Sequence, residues 1–519
     1  MPIPDGAAII SKTFIAPRNA IEEQLAAIWQ RLLKVKQVSV QDNFFELGGD
    51  SILAIRFIGQ AKEIGITFQV NQLFQNQTVE KLALLVDTQR PYPLTAVQKQ
   101  LLVEEIEPTV LQLRITKSMN MDSLQKAFVL LQQQLLNLHI SFSQNPEGEW
   151  QQQTANAPSD QCLEVVPLKH LTNRIDQIGA IQTTLQALKQ RIGNAPPYIT
   201  ATYLQFPKNE MLLLAVSPLV ADRASLPNLL NALVYAYQFH QLPNLQQIGW
   251  RDWVSAQPTQ PDRSYWQNMA EQIEPLPAKQ NCVTDPAISP QIRQRLDAAY
   301  TIKLQQIQDR YNMRLQEVVL TAVSQTITRW QKSDHVWLTT SQYHRAAAIN
   351  GFNTRHTIGQ LQTNVPLYLC APTAPSADAW LQNTKTNCRQ LPIVSQDDET
   401  LWSGLPQIGF VWQPTIPDTD FLSPLSVKAS HGMTNPLVLI AGQIGLHLHM
   451  EWCYDPTLFQ HDTILKLSQQ WQQQIDQLIE QTKQVEERQL APSDFPEAPL
   501  NQAQLTQFLN KIGQKQTTL

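Results

Sequence analysis

Gly48-Gly49-Asp50-Ser51 puts a carboxylate and a hydroxyl directly before Ile52, Leu53, Ile55 and Ile58, whose spacing is helical. Two glycines allow a tight backbone approach. Asp50 or Ser51 can then cap the helix by accepting from its first free N–H groups. A serine held there is exposed on a rigid element, which suits covalent attachment of a group. No histidine is near it to make it a nucleophile. On local physics alone, the same residues also serve as an ordinary helix cap.

The elements that position this stretch are short and helical. Ile21, Leu25, Ile28, Trp29, Leu32 and Leu33 recur at helical spacing, with Glu22 and Glu23 in the first turn where the helix dipole favours them. A loop through Val38 and Phe44 leads to the Ser51 helix, and Thr78 caps a last helix from Val79 to Val86. The expectation is a small all-α bundle of four helices presenting Ile52, Ile55 and Arg56 to partners. Beyond a polar linker, strands and helices alternate: Met211–Val216 as a buried strand, Leu226–Tyr237 as a helix, Val318–Trp330 as a helix, Val336–Thr340 and Gly445–Trp452 as strands, Asp462–Gln481 as a long amphipathic helix. That mixture predicts a larger α/β domain in two halves.

Composition sets the outer limits. A chain of 519 residues exceeds what one core serves. Hydrophobic content of 43% with 34 prolines fits a globular protein rich in loops. A net charge of −5 without a long basic run speaks against nucleic acid as partner. No stretch reaches the roughly 18 uncharged apolar residues of a membrane span. The five cysteines, Cys162, Cys282, Cys370, Cys388 and Cys453, are scattered and lack metal-ligand spacing, so they read as thiols in a reducing, cytoplasmic compartment. The N-terminus lacks a secretory signal and reads as an excised piece of something larger.

Asp42, Phe44, Phe45, Leu47, Gly48, Gly49, Asp50 and Ser51 match D-x-F-F-x-L-G-G-D-S. The segment thereby resembles the peptidyl carrier proteins of non-ribosomal peptide synthetases. The resemblance implies a 4'-phosphopantetheine arm on Ser51, flanked by Asp50 and Gly49 and holding an amino acid or peptide as its thioester. It further implies a phosphopantetheinyl transferase, an adjacent adenylation domain and other synthetase modules as partners. Residues 1–19 resemble the tail of a preceding adenylation domain, 20–87 the carrier, and 88–92 a linker.

Residues 93–491 resemble the condensation superfamily and, within it, epimerization domains. Pro93–Gln98 is similar to P-L-T-P-x-Q, and Gly148–Gln152 to G-x-W-x-Q. Thr357-Ile358-Gly359 with Thr363 and Pro366 resembles T-V-G-W-F-T…P, and Leu405–Phe410 the segment before F-N-Y-L-G. Pro492–Pro496 matches the P-S-D-F-P that follows such domains. The implied fold is two chloramphenicol-acetyltransferase-like lobes, about 93–270 and about 271–491, with a tunnel between them. Residues 492–519 are expected to be a linker and short helix.

The family's H-H-x-x-x-D-G reads here Ser217-Pro218-Leu219-Val220-Ala221-Asp222-Arg223. Pro218 stands where the resemblance places the catalytic histidine, and proline exchanges no proton. The epimerase E-G-H-G-R aligns with Ser341-Gln342-Tyr343-His344-Arg345, so Ser341 stands in place of the glutamate. The resemblance makes Asp222 structural, with Arg345 as partner; Asp222 as a general base is the alternative. Tyr343 and His344 remain as displaced acid/base candidates. His335, His356, His447 and His449 lack clustered carboxylate or thiolate ligands, so no metal is expected.

Three readings stay open. A catalytically degenerate domain could dock a trans-acting tailoring enzyme, such as an oxygenase, hydroxylase or halogenase, as X-domains and interface domains do. A rewired epimerase or condensation enzyme, or a structural spacer, are the alternatives.

Overall fold

The computed structural model describes residues 14–17, 20–64, 66, 73–74, 76–83, 94–103, 107–155, 162–243, 290–343, 345, 354–392, 407–428, 435–483, 489–495, 504–505 and 507. His344, the 88–92 linker, and most of the two terminal segments lie outside them. The chain divides into two compact units, residues 1–93 with 140–156, and residues 94–139 with 157–519.

The first unit holds α1 (Ala20–Leu33) and α2 (Ser51–Glu63), and residues 79–83 are also helical. The expected four-helix count falls partly outside the described residues. Leu25, Ile28 and Trp29 of α1 meet Ala54, Phe57 and Ala61 of α2 in a core that also takes Phe44 and Leu82. The loop before α2 is tied by backbone: Phe44 N–H donates to Gln77 O at 2.8 Å and Glu80 N–H to Val40 O at 2.9 Å.

The second unit begins with α3 (Ala96–Val103), β1 (Thr109–Ile115) and α4 (Met121–Gln134). The hairpin of β2 (Ile140–Gln144) and β3 (Trp150–Thr154) follows. Its sequence position places it inside the 93–491 domain, but it falls with the first unit. Next come β4 (Leu163–Pro167), α5 (Arg174–Arg191), β5 (Ile199–Gln205), β6 (Glu210–Val216) and α6 (Ser225–Phe239).

After these come β7 (Gln291–Leu296), α7 (Ala298–Tyr311), α8 (Leu315–Gln331), β8 (His335–Gln342), β9 (Thr363–Cys370) and α9 (Ala377–Gln390). The unit closes with β10 (Ile408–Ile416), β11 (Leu422–Lys428), β12 (Leu437–Ile444), β13 (His447–Tyr454) and α10 (His461–Thr482).

Two sheets organise these elements. One runs β11-β1-β6-β5-β4, the other β7-β13-β12-β10-β8-β9. β6 lies mid-sheet, which explains its unbroken apolar run. The expected lobe boundary at about residue 271 lies outside the described residues, and the two sheets interleave along the sequence. β11, from the later half, pairs antiparallel with β1 and supplies an edge of the first sheet. A strand goes where unpaired backbone donors and acceptors need partners, whatever its place in the sequence.

Helix α8 is buried along most of its length. Its hydroxyls are tolerated there because they donate to carbonyls one turn back, Thr321 to Glu317 O at 2.8 Å and Thr326 to Ala322 O at 2.7 Å. With α10, whose Ile464, Leu467, Trp471, Ile475 and Leu478 form one stripe, it covers the second sheet. That face takes Leu448, Met450 and Trp452 of β13 and leaves His449 and Glu451 on the other side.

The segment after α10 is pinned by Asp494, in a single turn at Pro492–Asp494. Its carboxylate accepts from Lys385 Nζ at 2.5 Å, Asn312 Nδ2 at 2.6 Å and Ala491 N at 2.7 Å, and from Arg389. The Lys385 side chain is fully buried there. Burial by itself would raise the Asp494 pKa, but these donors together outweigh it and hold the carboxyl below its usual range. Burial disfavours the Lys385 ammonium more than Asp494 favours it.

Candidate functional site

Ser51 is the first residue of α2 and is exposed. The cap is Asp50: with extended backbone, its Oδ1 accepts from Ile52 N at 2.9 Å and Leu53 N at 2.7 Å. Asp50 thus satisfies two orphan donors and leaves the Ser51 hydroxyl open to solvent. Gly48 turns the chain at φ +94°, and Gly49 N–H donates to Phe44 O at 2.9 Å. A Cβ on Gly49 would stand 2.4 Å from the Phe44 ring, which is itself packed on Trp29. Only glycine fits between Phe44 and the cap. Ile52 and Ile55 are exposed on the same helix.

A phosphodiester on Ser51 would meet a helix N-terminus whose dipole favours an anion. The geometry therefore fits a phosphopantetheine group: Ser51 would hold it through Oγ, and Asp50 would fix the helix start. When bound, such a group supplies a thiol for acyl thioesters.

In the second unit, the chain turns out of β6 through Ser217 and Pro218, both buried. Ser217 N–H donates to Tyr198 O at 2.8 Å, and Gln360 Nε2 donates to Pro218 O at 2.9 Å. Asp222 follows with its carboxylate completely enclosed. Its Oδ2 accepts from Arg345 Nη1 at 2.7 Å and Leu361 N at 3.0 Å, and its Oδ1 from Ser225 N at 2.9 Å. Arg345 Nη2 also donates to Ser225 Oγ at 2.9 Å and to Gly359 O at 3.1 Å. Its acceptor sites thus face donors from three chain segments.

Ser341 is buried at the end of β8, and Gln362 Nε2 donates to its Oγ at 3.1 Å. The Tyr343 hydroxyl donates to Trp412 O at 2.7 Å. Burial, above all, raises the Tyr343 pKa well beyond the ordinary phenol, with Arg223 and Arg345 opposing and Asp222 adding to the rise. A phenol in that state does not act as a base near neutrality. Arg223 is also buried and donates to Gln413 Oε1 at 3.1 Å on β10.

The structure thus brings Asp222, Arg223, Tyr343 and Arg345 together around one turn. His447 and His449 are not gathered into a metal set: Arg295 contacts His447 Nε2 at 2.8 Å, and burial, Arg295 and His447 all disfavour the charged form of His449. Among the described residues no three metal-ligating side chains converge.

Of the residues that support this turn, Gly359 belongs to the landmark Thr357-Ile358-Gly359, while Ser225 and Gln360 carry no signal of their own. Gln98 had one: Thr95-x-x-Gln98 is a capping-box pattern. Gln98 N donates to Thr95 Oγ1 at 3.1 Å, Thr95 N to Gln98 Oε1 at 3.0 Å, and Gln98 Nε2 to Leu219 O at 2.9 Å. The opening helix is thereby fastened to the turn after Pro218.

The condensation-domain family model matches residues 88–391. The chain belongs to the condensation-domain family. Ahead of this condensation domain, the model of the phosphopantetheine attachment site matches residues 23–86, so 4'-phosphopantetheine is the prosthetic group of this segment. A linear gramicidin synthase protein of Brevibacillus parabrevis is 26% identical over 98% of this chain and 11% of its own length. Chondramide synthase cmdD of Chondromyces crocatus is 26% identical over 97% of this chain and 14% of its own. The chain therefore spans a small fraction of these relatives.

Among solved structures, the epimerization domain from the third module of tyrocidine synthetase B superposes with a TM-score of 0.65 at 18% identity. The match covers 77% of this chain and 98% of that one. The X-domain from teicoplanin biosynthesis gives 0.54 at 17% identity, covering 75% of this chain and 95% of that one. Both show the fold of the condensation domain. Among the described residues no helix is long and apolar enough to cross a membrane.

Proposed function

We propose that this chain is a carrier and condensation-type segment of a non-ribosomal peptide synthetase in which the second domain no longer performs acid/base chemistry. Ser51 holds the phosphopantetheine arm and, on it, an aminoacyl or peptidyl thioester. Residues 20–87 form the carrier and 93–491 the condensation-type domain. The domain serves as a platform on which a trans-acting tailoring enzyme, an oxygenase, hydroxylase or halogenase, reaches the residue on the carrier. A phosphopantetheinyl transferase, an adenylation domain and further modules are its other partners.

One observation carries this reading. Pro218 lies buried in the turn where the family motif places histidine, with its carbonyl occupied by Gln360. Ser341, where the epimerase motif has glutamate, is a neutral hydroxyl tied to Gln362. Neither group can move a proton near neutral pH. Meanwhile the Asp222–Arg345 network that shapes the turn is complete. Asp222 and Arg345 are assigned a structural role on that basis.

The test loads Ser51 with an aminoacyl-pantetheine, incubates the chain in heavy water and reads deuterium at the α-carbon by mass spectrometry. No exchange above that of the isolated aminoacyl-pantetheine is expected. Exchange above it would establish a rewired catalyst instead. Loading itself is checked with Ser51→Ala, which should abolish labelling by a phosphopantetheinyl transferase and coenzyme A.

A further inference from the structure

The end of α8, the start of α9 and one stretch of α10 enclose a cavity of about 400 Å³. None of its lining belongs to the turn after β6. On α8, Gln325, Arg329 and Lys332 follow at intervals of four and three, so one helix face presents all three to it.

The described lining is charged in one sense. Arg329 and Lys332 are exposed there, and neither is in an ion pair among the described residues. No carboxylate is on that lining. The acidic groups nearest in sequence lie off it: Asp334 contacts His335, Glu480 pairs with Lys483, and Asp378 lies beside Tyr311. The carbonyls that end α8 are occupied, since Thr328 O and Arg329 O accept from Lys332 N–H. The α9 cap, Ser376, accepts from Ala379 N at 3.1 Å through Oγ, which leaves its own O–H to donate. Ala377, also on the lining, is the first residue of α9, where N–H groups have no acceptor within the helix.

The buried part of the lining needs the opposite kind of partner. Gln325 is only 7% exposed, and its Oε1 is buried without a hydrogen-bond partner. Leaving such an acceptor open is costly. Its neighbours on the lining do not supply the donor: Thr328 donates its hydroxyl to Ser324 O at 2.8 Å, and Leu478 has none. Along α8, Gln325 and Arg329 stand about 6 Å apart at 1.5 Å per residue.

We infer that this cavity binds a phosphate monoester of a short polyol. The phosphate dianion lies among Arg329, Lys332 and the start of α9, and a hydroxyl at the other end of the ligand donates to Gln325 Oε1. Donors converge there from two helices, and the terminal oxygens of a phosphate can take them separately. A three-carbon polyol suits the separation of about 6 Å. This site goes beyond the platform reading and does not depend on it.

The experiment titrates the full chain with glycerol 3-phosphate by calorimetry, at constant ionic strength and at about pH 8, where the monoester is a dianion. One-to-one binding is expected, about threefold or more tighter than that of propyl phosphate, which has the same length and no hydroxyl. Arg329→Gln combined with Lys332→Gln, both at exposed positions, should weaken binding about tenfold or more. Gln325→Leu should bring glycerol 3-phosphate down to the affinity of propyl phosphate and leave propyl phosphate unchanged. If that buried substitution does not fold, the wild-type comparison of the two esters decides the role of Gln325. Equal affinities for the two esters in wild type, unchanged binding in the double variant, or no binding of glycerol 3-phosphate would overturn the inference.

Discussion

Replacing Asp222 by alanine removes the centre of the turn network. Its carboxylate is fully enclosed and accepts from Arg345, Leu361 N–H and Ser225 N–H. After the change, the Arg345 guanidinium, with a side chain only 11% exposed, keeps neutral acceptors at Ser225, Thr357 and Gly359 but loses its counterion. Breaking a buried pair from one side costs about 3–5 kcal/mol. Arg345→Ala should cost less, about 1–3 kcal/mol, because Asp222 would keep its amide donors. In urea, with a slope of about 3 kcal/mol/M for a large unit, Asp222→Ala should lower the midpoint by roughly 1 M or more.

The chain has two units, so the transition must be assigned to the right one. Hydrogen exchange of a peptide covering residues 357–361 does this, since the Leu361 amide donates directly to Asp222. Its protection should fall together with the midpoint. An unchanged midpoint with unchanged protection would refute the structural role, and α-carbon exchange in the wild type that Asp222→Ala abolishes at unchanged stability would make Asp222 a catalytic base.

Three other outcomes follow from the same geometry. Gly49→Ala forces a Cβ against the Phe44 ring and backbone, and should destabilise the carrier by about 1–3 kcal/mol and slow labelling at Ser51; a carrier that melts and labels as wild type would contradict this close approach. Pro218→His should restore no epimerization, because Ser341 remains where the opposing glutamate is needed; chiral analysis showing a D-residue on the arm would show that the other half of the site is intact. Asp494 stabilises through a carboxyl held below its ordinary range, so its contribution is full above the unfolded value of about 4 and disappears as pH falls through the lower folded one. Asp494→Asn should therefore lower stability at neutral pH, by about 3–5 kcal/mol given the enclosed Lys385, and flatten the acid limb below pH ~4. Parallel acid limbs in the two proteins would rule that contribution out.

Much of this protein is legible without coordinates because it is decided within a few residues. Asp50 caps α2 through amides two and three positions on, and the stripe of α10 repeats every three or four residues. That Pro218 cannot move a proton follows from covalent structure alone.

Other features depend on partners far along the chain, and no local pattern reports them. Arg345 meets Asp222 across 123 positions, Arg223 meets Gln413 across 190, and β11 joins a sheet whose other strands all precede residue 217. The first of these pairs is legible only through resemblance, and the second carries no sequence signal at all. Residue identity and local spacing settle which groups are present and which elements they form. Long-range packing settles which of them share a low-dielectric space, where a charge must find its counterion.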